Sequence, residues 1–124
     1  MVTFSRDRED CNRREYGYLL DIYTSDRYIK FMIKSFADRE TMHIFNQEFS
    51  RHLPTAIQKV ALRKLMMIDN AKCLEDLRVP PNNHLELLSG KRKGQYSIRI
   101  NNQWRVCFIE KDGHFYNVEI VDYH

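Results

Sequence analysis

Beyond Asp38 the apolar residues of this chain change their period once, and the change divides a helical stretch from a strand stretch. Between Asp38 and Ile68 apolar side chains recur every three or four positions, whereas from His84 onward they alternate with polar ones. The break falls at Pro80-Pro81-Asn82-Asn83, a run that suits neither a helix nor a strand interior. A helix buries one stripe and a half-buried strand buries every second residue. Chain order therefore predicts helices laid over one face of an antiparallel meander, the other face being left partly open.

The individual elements follow from local signals. Asp38 is placed to cap a helix running to about Phe49, with Met42, Phe45 and Phe49 on one face. Pro54 suits the first turn of a second helix. Its seam is Ile57, Ala61, Leu65 and Ile68, with Lys59 and Arg63 on the opposite side. Met32-Ile33-Lys34-Ser35-Phe36 alternates as a strand does, and residues 84–88, 96–100, 103–110 and 115–123 do the same. The predicted fold class is α+β: an N-terminal strand, then two helices packed on one face of a mainly antiparallel sheet of four to five strands. Residues 1–31 are charge-dense and unpatterned, so they read as a loosely ordered extension, with Met32 opening the functional domain, 32–124.

Composition narrows the function. No apolar run exceeds four residues and the first fifteen residues hold no apolar stretch. Neither a bilayer span nor a secretory leader is expected, which fits a cytoplasmic protein. Cys11, Cys73 and Cys107 lack Cys-x-x-Cys spacing and the five histidines lie far apart, so no metal site or cofactor is expected. The net charge is +3, and because acids and bases balance in residues 1–31 the whole excess lies in 32–124. Lys91, Arg92, Lys93, Arg99 and Arg105 stand together with no acid among them. Such a patch is the footprint of a phosphate-binding surface, though a hairpin kept soluble by its charges has the same composition.

Register brings these groups together. A one-residue slip moves a whole strand to the wrong face, so facing neighbours must agree in character. A three-residue connection at Asn101–Gln103 sets Ile100 opposite Trp104 and Ile98 opposite Val106, which leaves Arg99 opposite Arg105 on the other face. At Asp112-Gly113-His114 a three-residue loop with Gly113 in the left-handed region sets Val106 opposite Ile120 and Phe108 opposite Val118. Arg105 then faces Val121, with Glu119 and Tyr123 on its diagonals. Two facing arginines repel unless an anion joins them; the competing arrangement is an Arg105–Glu119 ion pair on a solvated sheet. The chain closes on Tyr123-His124, a phenol and an imidazole. Cations beside a group that titrates near neutral pH are what RNA cleavage by side chains alone requires.

Five segments resemble, in order and spacing, the HigB-like toxins of the RelE/ParE superfamily, from bacterial type II toxin–antitoxin pairs. They are Met32-Ile33-Lys34-Ser35-Phe36, Leu88-Ser89-Gly90-Lys91-Arg92 with Gly94, Ser97-Ile98-Arg99-Ile100, Gln103-Trp104-Arg105 and Val121-Asp122-Tyr123-His124. The resemblance covers residues 32–124 and implies a RelE-like fold and a ribosome-dependent endoribonuclease that cuts messenger RNA. It also implies a helix-turn-helix, HigA-like antitoxin as partner. Carried over by position, Arg105, Tyr123 and His124 fall on the active-site positions, and Lys91 and Arg92 on a basic loop that contacts RNA. Lys93 and Arg99 extend that basic surface. Other branches carry a His-Pro-Leu-Lys-Gly run where this chain has Glu86-Leu87-Leu88-Ser89-Gly90, so Glu86 and Ser89 replace a histidine and a lysine.

In the implied reaction Arg105 clamps the phosphorane, His124 serves as acid or base, the acid role being favoured by the terminal carboxylate beside it, and Tyr123 stacks on a base or orients the ribose. Two rivals stand beside it: a ParE-like toxin that shares the fold and poisons DNA gyrase without a nuclease centre, against which the terminal Tyr-His argues, and a non-catalytic RNA-binding module that uses the basic hairpin alone. Translation arrest separates the first from the nuclease, and new 5′ ends on message separate the second.

Overall fold

A computed structural model describes residues 31–123. The expected extension, 1–31, thus lies outside the described residues except for Phe31, and so does His124. Helix α1 spans Arg39–Phe45 and α2 spans Thr55–Asn70. Two 3₁₀ turns follow, Leu74–Arg78 and Pro81–Asn83. Strands β1 (Glu86–Leu87), β2 (Tyr96–Arg99), β3 (Trp104–Lys111) and β4 (His114–Asp122) form one antiparallel sheet in the order β1-β2-β3-β4. The architecture is the expected α+β arrangement. Among the described residues no helix is long and apolar enough to cross a membrane.

Helix α1 starts where expected, with the Asp38 carboxylate accepting from Thr41 N at 3.2 Å. It stops four residues before Phe49. Gln47 lies in the left-handed region at φ 65° and turns the chain out of the helix. The face buried is Thr41 and Ile44, while Met42 and Phe49 are exposed. The return to α2 is tied at Ser50. Gln58 accepts from Ser50 N at 3.1 Å and donates to the carbonyls of Ser50 and Leu53, at 2.7 and 2.9 Å. In α2 the seam is as expected: Ile57, Ala61, Leu65 and Ile68 are all buried.

Ile98, Val106, Phe108, Phe115, Val118 and Ile120 face that seam and complete the core. Phe108 and Phe115 meet edge to face, centroids 5.3 Å apart. Truncating a side chain such as Leu65 to Ala would cost about 2–5 kcal/mol. The expected N-terminal strand is reduced to two isolated parallel bridges, Ile33 to Phe115 and Phe36 to Val118. Its start is pinned instead by Asp69 of α2, which accepts from Met32 N and Ile33 N at 2.8 and 3.0 Å.

The β2–β3 register is the expected one, Ile98 with Val106 and Arg99 with Arg105. The β3–β4 hairpin reaches the expected pairing at its carboxyl end by another route. Lys111 pairs with His114, so the turn has two residues, with Asp112 at φ 56° and Gly113 at φ 83°. Positive φ at both positions matches the twist of the flanking strands. The missing loop residue is restored inside β4, where Ile109 pairs with Tyr116 but Cys107 with Glu119. This is a bulge with Asn117 at φ 54°. Ser35 holds it: its hydroxyl accepts from Asn117 N at 2.9 Å and donates to Asn117 Oδ1 at 3.3 Å. Beyond the bulge Val106 faces Ile120 and Arg105 faces Val121, as expected. Phe108 has the bulge opposite it in place of a simple pairing with Val118.

Candidate active site

Strand alternation sends Arg105 and Cys107 to the face of β3 away from the helices, beside Ser97 of β2. That face is more covered than the sequence suggested, since Ser97, Cys107 and Arg105 are all buried, Arg105 being 9% exposed. The cover is the segment from His84 to Gln95. His84 takes a left-handed conformation, φ 47°, and its carbonyl accepts from Arg105 Nη2 at 2.5 Å. Arg105 Nε donates to the Ser97 hydroxyl at 2.7 Å. Glu86 Oε1 lies 3.8 Å from Nη2. The Tyr123 ring closes the assembly, its centroid 5.9 Å from the Arg105 Cζ, within cation–π range.

Arg105 is thus aimed by neutral acceptors more than neutralised by an acid. Glu86 is half exposed, and a pair of that kind contributes about 1 kcal/mol or less. A buried guanidinium with so little compensation favours an incoming anion. Among the described residues its Nη1 hydrogens meet no acceptor. Glu119, the alternative partner considered from sequence, pairs with Arg92 at 3.3 Å instead. Burial pushes the Cys107 thiol up, which keeps it protonated and argues against a nucleophilic role.

The basic positions divide into two kinds. Lys91 and Lys93 are exposed on and just after the 3₁₀ turn Gly90–Arg92. Arg92 is committed inward, to Gln95 Oε1 at 3.0 Å and to Glu119. Arg99 sits opposite Arg105 in the ladder, yet its guanidinium turns to the side chain of Asn102. The repulsion anticipated between the two arginines is therefore relieved by separate neutral acceptors. Tyr123 is exposed and touches Arg105, while His124 lies one position past the described residues.

Three neighbours of Arg105 were missed from sequence. Ser97 was legible in principle, because it pairs with Cys107 and so stands diagonal to Arg105 on one face. In the sequence Glu86 stands out only as a departure from a motif. The His84 carbonyl had no signal, since its direction depends on a left-handed backbone conformation that no turn motif in the sequence announces.

Residues 34–124 match a family model described as the RelE-like toxin of type II toxin–antitoxin system HigB. The chain is 42% identical over 71 residues to Toxin HigB-1 of Vibrio cholerae serotype O1, an alignment covering 56% of this chain and 75% of that protein. It is 41% identical over 75 residues to an uncharacterized protein of Haemophilus influenzae, covering 53% of this chain and 74% of that protein.

Proposed function

Because this chain belongs to the HigB-like toxins of type II toxin–antitoxin systems, we propose that it is a ribosome-dependent endoribonuclease that cuts messenger RNA with its own side chains. The observation that carries this reading is the aimed guanidinium of Arg105 beneath the Tyr123 ring, held at Nε and Nη2 and open at Nη1. The functional unit in this reading is residues 32–124, and the partner implied by a type II toxin is an antitoxin, here a helix-turn-helix protein of the HigA kind.

The ribose 2′-oxygen attacks the adjacent phosphorus and gives up its proton, the bond from phosphorus to the 5′-oxygen breaks, and that oxygen takes a proton. The products are a 2′,3′-cyclic phosphate and a 5′-hydroxyl. Glu86, half exposed and 3.8 Å from Arg105, is a carboxylate placed to accept the 2′ proton. Arg105 stabilises the charge that builds on the phosphorane oxygens. His124, next to Tyr123 in the chain, protonates the leaving oxygen, since an imidazole exchanges protons near neutral pH. Tyr123 stacks on a base or orients the ribose, and Lys91 and Lys93 with Arg92 and Arg99 steer the RNA backbone.

The test is to incubate the protein with ribosomes and message and map 5′ ends. New ends bearing 5′-hydroxyls are expected, and they disappear with Arg105→Ala or deletion of His124 in a folded protein. Glu86→Gln is expected to slow cleavage roughly 10²–10⁴-fold, the usual contribution of a positioned base. Binding to ribosomes without new ends sinks the nuclease reading in favour of a non-catalytic module.

A further inference from the structure

A second group of cations lies at the end of the sheet where α2, the turn Pro81–Asn83 and the β2–β3 connection meet. They border a cleft of about 390 Å³ lined by Arg63, Lys64, Asn82, Arg99 and Asn101 with the apolar Val60 and Ile100, and among the described residues no acid stands in its wall. Neither Arg105 nor Tyr123 reaches it.

Lys64 is the unusual member. It is 6% exposed on a helix whose other basic residues, Lys59 and Arg63, face solvent. Its ammonium donates to Asn83 Oδ1 at 2.6 Å. Asn83 is itself fully buried and held by the carbonyls of Leu77 and Val79, at 3.1 and 3.5 Å. An ammonium has three hydrogens to place, and among the described residues only this one neutral acceptor is met. No carboxylate stands within ion-pair distance of it among those residues. Burial and the adjacent Arg63 lower its proton affinity, and an anion beside it would offset both. Buried charges are ordinarily paired. An anion would supply such a partner, and the rest of the described wall suits one: the exposed fork of Arg63, the Arg99 strand end and the Asn82 and Asn101 positions.

We propose that this cleft binds a phosphate group, with Lys64 at its base and Arg63 and Arg99 flanking it. The same chemistry is presented by inorganic phosphate, by a mononucleotide and by an RNA backbone. The proposal does not rest on cleavage: of the described residues lining the cleft only Arg99, placed above among the cations that steer RNA, has a part in that reading, and neither Arg105 nor Glu86 lines it.

The experiment is a titration of the purified full chain with inorganic phosphate, following the backbone amides of Asn82, Ile100 and Asn101 by nuclear magnetic resonance. Saturable shifts at these amides are expected. Affinity is expected to fall about tenfold or more in Arg63→Gln and Lys64→Met, the loss typical of one charge-assisted hydrogen bond. Arg63 is exposed, so its variant decides the matter even where Lys64→Met does not fold. Absence of saturable shifts in the native chain, or undiminished affinity in Arg63→Gln, overturns the proposal. Ribosome binding measured over a salt series then identifies the source. A slope of log K against log salt shallower by about 1 in Arg63→Gln assigns the site to an RNA backbone phosphate, and an unchanged slope assigns it to a free phosphate. The titration reads the same whether or not the protein cuts message, so its outcome and that of the nuclease reading are separable.

Discussion

Ser97 and Arg105 divide aim from charge, and substitutions at the two positions read them out separately. Arg105→Lys retains the charge but loses the planar fork that reaches both Ser97 and His84. Message cleavage should fall about 10²–10³-fold, in line with the loss of one oriented donor to a developing oxyanion. Ser97→Ala keeps the guanidinium and leaves its buried Nε without an acceptor, which costs about 1–3 kcal/mol. Urea denaturation should register that loss in Ser97→Ala. If instead the variant is as stable and as active as the native chain, the hydroxyl does not position Arg105. Ser97, Arg99 and Arg105 could be set on one face from sequence because alternation leaves only one agreeing register. How deeply Arg105 sits could not, because the His84 to Gln95 cover has almost no regular structure to predict.

At the scale of elements, the first described segment is attached by hydrogen bonds more than by a regular ladder. Asp69 at the end of α2 accepts both Met32 N and Ile33 N. Burial pushes its carboxyl up, and the two backbone donors and Lys34 offset this only in part. A carboxyl raised above its unfolded value adds stability that is complete below the unfolded pKa and is lost as pH rises through the folded one. Asp69→Asn keeps a carbonyl acceptor and has no charge to bury. It should therefore gain on the native chain as pH rises from the acid range to neutrality, measured by denaturation at several pH values. Asp69→Ala should destabilise at every pH, by about 1–3 kcal/mol for each buried donor left unmet. Helix α1 shows why boundaries resist prediction: Met42, Phe45 and Phe49 have helical spacing, but the left-handed Gln47 ends the element early. The hairpin shows a subtler limit. A three-residue loop, and a two-residue turn with a bulge, set the same carboxyl-end pairing, so facing residues alone could not distinguish them.

Across the whole molecule the charges fall into distinct regions. Arg105 lies buried beneath Tyr123, Lys91 and Lys93 are exposed on a short turn, and Arg63 and Lys64 border the cleft beside α2. Exposed lysines act on a polyanion through counterion release, so changing Lys91 and Lys93 to Gln should make ribosome binding less salt-sensitive. The slope of log K against log salt should drop by about 1 for each lysine that meets a phosphate. A loss of binding that is the same at every salt concentration would mean the turn had been disrupted rather than discharged.

The bulge at Asn117 also bears on which insertions and deletions the gene can accept. Elsewhere in a strand, loss of one codon rotates everything downstream to the opposite face. Codon 117 is different, because it encodes the supernumerary residue of β4: without it, Tyr116 still faces Ile109 and Glu119 still faces Cys107. An in-frame deletion there forfeits the Ser35 contacts yet leaves Tyr123 on the side of Arg105, whereas the same loss elsewhere in β4 would turn the carboxyl end of the strand over.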